Sequence, residues 1–231
     1  MTDGLFEGSV YFGVCVSLAA YAAGVWLRKK TGWSFMNPLL VSIVLVIAAL
    51  LVCGIGYGTY NESASWLSYL LTPATVCLAV PLYQQVDLLR KNSRAIICGI
   101  VGGALSGMTT VLLLALLFGF SHEAYVTFLP KSITTAIGMG VSEELGGIVS
   151  VTVVSIIVTG VLGNIMAEKV LAWLKIDEPV AKGIAIGSSS HAIGTAKAME
   201  MGVVEGATSG LSIVVSGILT VVGASLFALF L

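Results

Sequence analysis

Apolar residues in this chain come in long blocks separated by short polar breaks. The blocks cover residues 9–27, 38–57, 66–83, 95–120, 148–166 and 207–231. Each approaches the roughly 20 residues that a helix needs to cross a bilayer core. Two further stretches, 122–147 and 182–206, mix hydroxyl, glycine and charged residues with apolar ones. The pattern predicts an all-α, polytopic membrane protein with about six to eight transmembrane helices, two of its segments being interrupted or re-entrant. Pro38 suits the first turn of the second helix, where its missing N–H costs nothing. Pro73, Pro81 and Pro130 are helix-breaking positions, the first two within the third block and the last inside a semi-polar stretch. Gly99, Gly102, Gly103 and Gly107 give the fourth block a small-residue surface for close packing in lipid.

Composition narrows the class. The chain has 231 residues, 57% hydrophobic and 10% charged, with a formal net charge of −1; its mean hydropathy is +1.02. Too few charges remain to coat a water-soluble surface, and no basic face awaits a nucleic acid. Cys15, Cys53, Cys77 and Cys98 all lie in apolar runs, and His122 and His191 are the only histidines. Neither a metal centre nor another cofactor is expected. The chain lacks GxSxG, HExxH and Walker motifs, so an enzyme is not expected. The first block precedes its basic residues, the reverse of a signal peptide, and reads as a retained span. One membrane domain over 1–231 is the expected organisation.

The basic residues set the topology. Arg28, Lys29 and Lys30 follow the first block, Arg90, Lys91 and Arg94 precede the fourth, and Lys169, Lys175 and Lys182 follow the fifth. The positive-inside rule places all three clusters in the cytoplasm. Residues 122–147 must then enter from outside and return, and residues 182–206 must do the same from inside. That gives six crossings with both termini outside. Eight full crossings form the rival arrangement, with the third cluster outside.

An internal repeat accompanies this topology. A shift of 56 residues lays 132–146 on 188–202, with identities at Ser132/Ser188, Ala136/Ala192, Ile137/Ile193, Gly138/Gly194, Glu144/Glu200 and Gly146/Gly202. One residue of slip later, 155–162 falls on 212–219. The repeat units are approximately 122–167 and 182–231. Facing opposite sides, they form an inverted repeat, a plan in which interrupted segments of secondary transporters meet near the midplane. A duplicated packing motif without transport is the alternative.

The polar motifs carry candidate chemistry. In LPKSITTAIGMGVSEELGG, 129–147, Lys131, Ser132, Thr134 and Thr135 offer a cation and hydroxyls beside backbone N–H groups freed by Pro130, a receptor for a small carboxylate. Lys131 is either that cation or a side chain snorkelling to the interface. Glu144 is either a proton acceptor, as is its repeat partner Glu200, or a loop or capping carboxylate. In GSSSHAIGTAKAMEMG, 187–202, Ser189 and Ser190 extend the anion-binding surface. His191 either couples solute movement to protons or is a structural imidazole. Lys197 and Glu200, three residues apart, suit a pair on one helix face.

The stretches NPLL at 37–40, TPATVCLAVPLYQQ at 72–85, LPKSITTAIGMGVSEELGGI at 129–148 and GSSSHAIGTAKAMEMG at 187–202 together resemble the antiholin-like LrgB/CidB family over nearly the whole chain. Its signatures stand here as Pro-Leu-Tyr at 81–83, Thr134–Thr135, Ser-x-x-x-Gly-Gly at 142–147 and Gly-x-x-x-His-x-x-Gly at 187–194. Many members carry glutamine where this chain has Lys131. The resemblance implies a multi-pass protein of the bacterial inner membrane. It implies modulation of murein hydrolase activity and autolysis together with a small LrgA/CidA-type membrane protein. A plant relative is a chloroplast glycolate/glycerate translocator, and some bacterial relatives are linked to pyruvate movement. Joined to the repeat, this makes a carrier for small monocarboxylates (2-hydroxy or 2-oxo acids) the leading expectation. A direct antiholin-like regulator of cell lysis is the alternative. The expected partners are a carboxylate solute, the LrgA/CidA-like protein and the lipid bilayer, not nucleic acid. The oligomeric state is left open, a homo-oligomer included.

Overall fold

The computed structural model describes residues 9, 11–31, 38–70, 73, 76–77, 79–84 and 86–231. The chain divides into two compact units, Met1–Cys77 and Leu78–Leu231. The only regular structure among the described residues is helical.

In the first unit, α1 (Phe12–Thr31) packs on α2 (Pro38–Cys53) and on α3 (Tyr57–Ser63), with α4 (Ser65–Tyr69) following. Glycine permits the close approach of α1. A Cβ on Gly24 would lie 2.7 Å from the Pro38 carbonyl oxygen. The Gly13 amide donates to Ser63 Oγ at 2.9 Å, and Ser17 Oγ pairs with Tyr60 Oη at 2.8 Å. Residues 71–72, 74–75 and 78 of the third apolar block lie outside the described residues. Pro81 falls in the first turn of α5 (Ala79–Gln84), where a proline is tolerated.

The second unit continues with α6 (Val86–Lys91) and three long apolar helices, α7 (Ser93–Phe118), α10 (Val149–Trp173) and α12 (Val203–Phe227). These three helices, the last extended to Phe230, are long and apolar enough to cross a membrane; Pro38–Cys53 is a shorter apolar helix. Between them lie α8 (His122–Phe128), α9 (Thr135–Glu144) and α11 (Pro179–Met201). Gly119 closes α7 in the left-handed conformation, φ 63°, and Ser121 caps α8 by accepting from the Ala124 amide.

The semi-polar stretches do not cross. From the Phe118 end of α7, residues 122–132 descend until Ser132 reaches Gly107, near the middle of α7. Pro130 ends the helix there, and the chain turns back as α9. Gly147 then lies beside Thr127, and the Ile148 amide donates to Thr127 Oγ1 at 2.8 Å. The second stretch mirrors this from the Ser93 end. Along α11, Ile184 packs on Gly99 and Ser188 on Gly103, so the limb climbs to the same mid-depth. At His191 the backbone leaves the helix, φ 43° and ψ −142°. The chain reverses, so that Gly194 lies against Ile186 and Lys197 reaches Glu168 near the end of α10.

Each semi-polar segment is thus a re-entrant hairpin, and the two enter from opposite ends of α7. α10 ends, and α7 and α11 begin, at one end. That end gathers Arg90, Lys91, Arg94, Lys169, Lys175 and Lys182, as the positive-inside reading requires. The eight-crossing arrangement is excluded by the reversals.

The geometry has a direct check. In a background without the four native cysteines, His122→Cys and Glu143→Cys are expected to react with a membrane-impermeant thiol reagent from one face. Asp177→Cys and Val203→Cys are expected to react only from the other. Opposite-face labelling within either pair would show a full crossing.

Candidate functional site

The two hairpin tips converge at mid-depth, where the lining is largely hydroxyl and backbone. The first tip brings Lys131, Ser132, Thr134 and Thr135, all half-buried. Lys131 Nζ donates to Ser132 Oγ at 3.1 Å. Thr134 is the N-cap of α9 in extended geometry, yet its side chain makes no capping bond. The first-turn amides of α9 therefore have neither intrahelical partners nor a side-chain cap.

The second tip brings Ser188, Ser190 and His191, all buried, and Ser189, which is exposed. Ser188 Oγ donates to the Ile184 carbonyl at 2.7 Å, and Ser189 Oγ to the Ala185 carbonyl at 2.7 Å. Ser189 and Ser190 pair at 3.0 Å. His191 Nε2 lies 2.9 Å from the Ile156 carbonyl oxygen of α10. A carbonyl only accepts, so Nε2 carries the proton and Nδ1 is the acceptor nitrogen of the neutral ring. This bond ties the strained turn to α10 and helps hold a backbone conformation that L-residues rarely adopt. Gly160 makes room for the ring: a Cβ there would lie 2.7 Å from His191 Cε1.

The hairpins are cross-braced. Ile137 of the first sits on Gly217 of α12, and Ile193 of the second sits on Gly160 of α10. Gly160 and Gly217 are partners in the softer pairing of 155–162 with 212–219, as Ile137 and Ile193 are in the stronger one. Asn164 Nδ2 adds a bond to the Ile193 carbonyl at 2.8 Å. Thr195 Oγ1, on the return limb, pairs with Ser209 Oγ of α12 at 2.7 Å.

The predicted residues are therefore not one cluster. Lys131 and Ser132, with Ser188, lie toward α7. Ser190 and His191 lie toward α10, where Ser190 packs on Gly163. Thr134 and Thr135 open α9. Glu144 and Glu200 are exposed, well along the return limbs from the tips. Lys197 pairs with Glu200 at 3.2 Å, as the three-residue spacing suggests. It also meets Glu168 at 2.7 Å, a partner that spacing along the chain does not reveal. Pro130 forms part of the first tip.

Two cavities flank the outgoing limb of the second hairpin. One, about 410 Å³, lies against α7 between Glu178 and Ser188, with Gly99 and Gly103 on its wall. At 1.5 Å rise per residue it extends about 15 Å along the helix. The other, about 160 Å³, lies against α10 and reaches Ser189 and Ser190 past Gly163 and Met166.

Comparison with known proteins covers most of the chain. Residues 17–230 match the model of the LrgB-like family. The antiholin-like protein LrgB of Bacillus subtilis (strain 168) is 39% identical over 214 residues, 92% of this chain and 93% of the relative. The holin-like protein CidB of Staphylococcus aureus (strain Mu50 / ATCC 700699) is 35% identical over 207 residues, 90% of each. That of Staphylococcus epidermidis (strain ATCC 12228 / FDA PCI 1200) is 34% identical over 207 residues, also 90% of each. No solved structure matches the chain.

The contact between Gly160 and His191 predicts a selective lesion. Gly160→Val is expected to destabilise the second tip by about 1–3 kcal/mol through overpacking, read as a lowered apparent Tm in detergent. Gly102→Ala, whose Cβ would meet nothing within 4 Å, is expected to leave the Tm unchanged or raise it.

Proposed function

The chain belongs to the LrgB-like family, and from that premise we propose that it is a carrier for small monocarboxylates such as glycolate, glycerate, lactate or pyruvate. The observation that carries the reading is the meeting of two opposite hairpins at mid-depth, with polar tips enclosed by the long helices. A chain that only oligomerises in lipid has no use for a broken helix there, because each freed amide and carbonyl costs several kcal/mol in hydrocarbon. Lys131 supplies one positive charge, which suits a monoanion. Ser132, Thr134 and Thr135 supply hydroxyl and amide groups from the first tip, and Ser189, Ser190 and His191, on the side toward α10, supply hydroxyl and imidazole groups from the second. Of the coupling candidates, His191 is the one at mid-depth. A small LrgA/CidA-type membrane protein is the proposed partner, and an influence on autolysis would follow from carboxylate movement.

The names of the relatives favour a second reading, in which the chain regulates lysis directly and the hairpins are contacts between proteins. One experiment separates the two. Purified protein in tight proteoliposomes, with and without its LrgA-like partner, is expected to show saturable uptake of a labelled monocarboxylate that a second one competes away. Thr134→Val with Thr135→Val is expected to abolish that uptake at unchanged membrane level. Absence of uptake in both preparations, with the lysis phenotype of the double variant intact, would favour direct regulation.

A further inference from the structure

Ser216 lies in the middle of α12, is 2% exposed, and its hydroxyl makes no hydrogen bond among the described residues. It differs in this from the buried hydroxyls before it on the same helix. Thr208 donates to the Val204 carbonyl, Ser209 pairs with Thr195, and Ser212 donates to the Thr208 carbonyl. A polar group held out of water without a partner is rare in a folded chain and calls for an explanation.

Register along α12 gives its position. A Cβ on Gly187 would lie 2.8 Å from Ser212 Cβ, and one on Gly217 would lie 3.1 Å from Ile137 Cδ1. The outgoing limb of the second hairpin runs alongside α12 in the same direction. By this register Ser216, one turn beyond Ser212 and next to Gly217, falls at the level of the Ser190–His191 turn and beside the seat of Ile137, in the first turn of α9. That first turn is the uncapped one, preceded by Thr134 and beginning with Thr135. In the repeat, Ser216 corresponds to Thr159, the hydroxyl beside Gly160 on which Ile193 rests.

We propose that Ser216 completes an anion site at the junction of the two tips, binding the carboxylate of the solute together with the first-turn amides of α9 and the hydroxyls of Thr134 and Thr135. Its identification as a transport site rests on the carrier reading; its binding chemistry does not. Amides only donate and the three hydroxyls are each able to donate, so the fitting ligand is a pure acceptor. Lys131, bonded to Ser132 on the same hairpin, gives the surroundings a positive charge that a monocarboxylate balances. The sequence offers no cue to this residue, because a serine within an apolar helix is commonplace and α12 carries several.

The test uses the full-length protein in detergent and in proteoliposomes. Lactate and acetate, but not the neutral analogue lactamide, are expected to raise the Tm of the wild type. Ser216→Ala removes no hydrogen bond, so its Tm without ligand is expected to stay level or rise. Its carboxylate-induced shift should vanish, and its KM for lactate should rise about tenfold or more, the loss of one hydrogen bond to a charged group. Ser216→Thr is expected to restore both. An unchanged KM or an unchanged carboxylate shift in Ser216→Ala would overturn the site, leaving Ser216 bonded to a structural water only. A lowered Tm without ligand would overturn it too, by showing that the hydroxyl has a structural partner. Failure of carboxylates to stabilise the wild type would remove the site outright. A carboxylate shift that depends on Ser216, without uptake, would leave the site standing and remove the carrier reading.

Discussion

A bilayer core cannot hydrate a broken helix, and the second unit is organised around that constraint. Each hairpin tip frees amides and carbonyls at mid-depth, where lipid offers no partner. The tips must therefore be wrapped by protein, and α7, α10 and α12 do the wrapping. Close wrapping needs small residues on the long helices. Gly103, Gly107, Gly160, Gly163 and Gly217 are the points at which a tip side chain seats on a long helix. Where glycine faces away from the hairpins, as at Gly102, a side chain would meet nothing.

The same constraint explains why hydroxyls dominate among the buried polar side chains. Buried serine and threonine side chains bond backbone carbonyls one turn back or pair across helices, as Thr195 does with Ser209 and Thr152 with Ser142. They bring polarity to the tips without a full charge. Lys131 and His191 are the ionisable groups at the tips. The imidazole is committed through Nε2 to the Ile156 carbonyl, which fastens the turn of the second hairpin to α10. Among the described residues the ammonium bonds its neighbouring serine. The two tips are thus alike in backbone plan and unlike in charge, so one hairpin carries the cation and the other the anchored turn. Charge at the hairpin base is handled differently: Lys197, itself little exposed, is held between the exposed carboxylates of Glu168 and Glu200.

Much of this was legible in the chain because lipid imposes a strong one-dimensional code. Long apolar blocks, basic clusters at alternate gaps and two semi-polar stretches determined the all-α membrane class; they pointed to re-entrance of both stretches from opposite sides but left eight full crossings as a rival, which the reversals of the chain removed. The offset of 56 residues between Ser132 and Ser188 exposed their equivalence, and Pro130 marked the first turn.

What the tertiary structure alone decided is which of the polar residues face one another. Sequence spacing reports neighbours along one helix face, so it paired Lys197 with Glu200 but had no means of finding Glu168 on another helix. It grouped Ser189, Ser190 and His191 as one motif. The reversal at His191 turns Ser190 and the imidazole toward α10, while Ser188 rests on α7. It also passed over Ser216, because one serine in an apolar helix looks like any other until the bonds of its neighbours are known. Contacts between distant segments depend on where the chain reverses, and reversal inside a helix is set by packing, which no local pattern records.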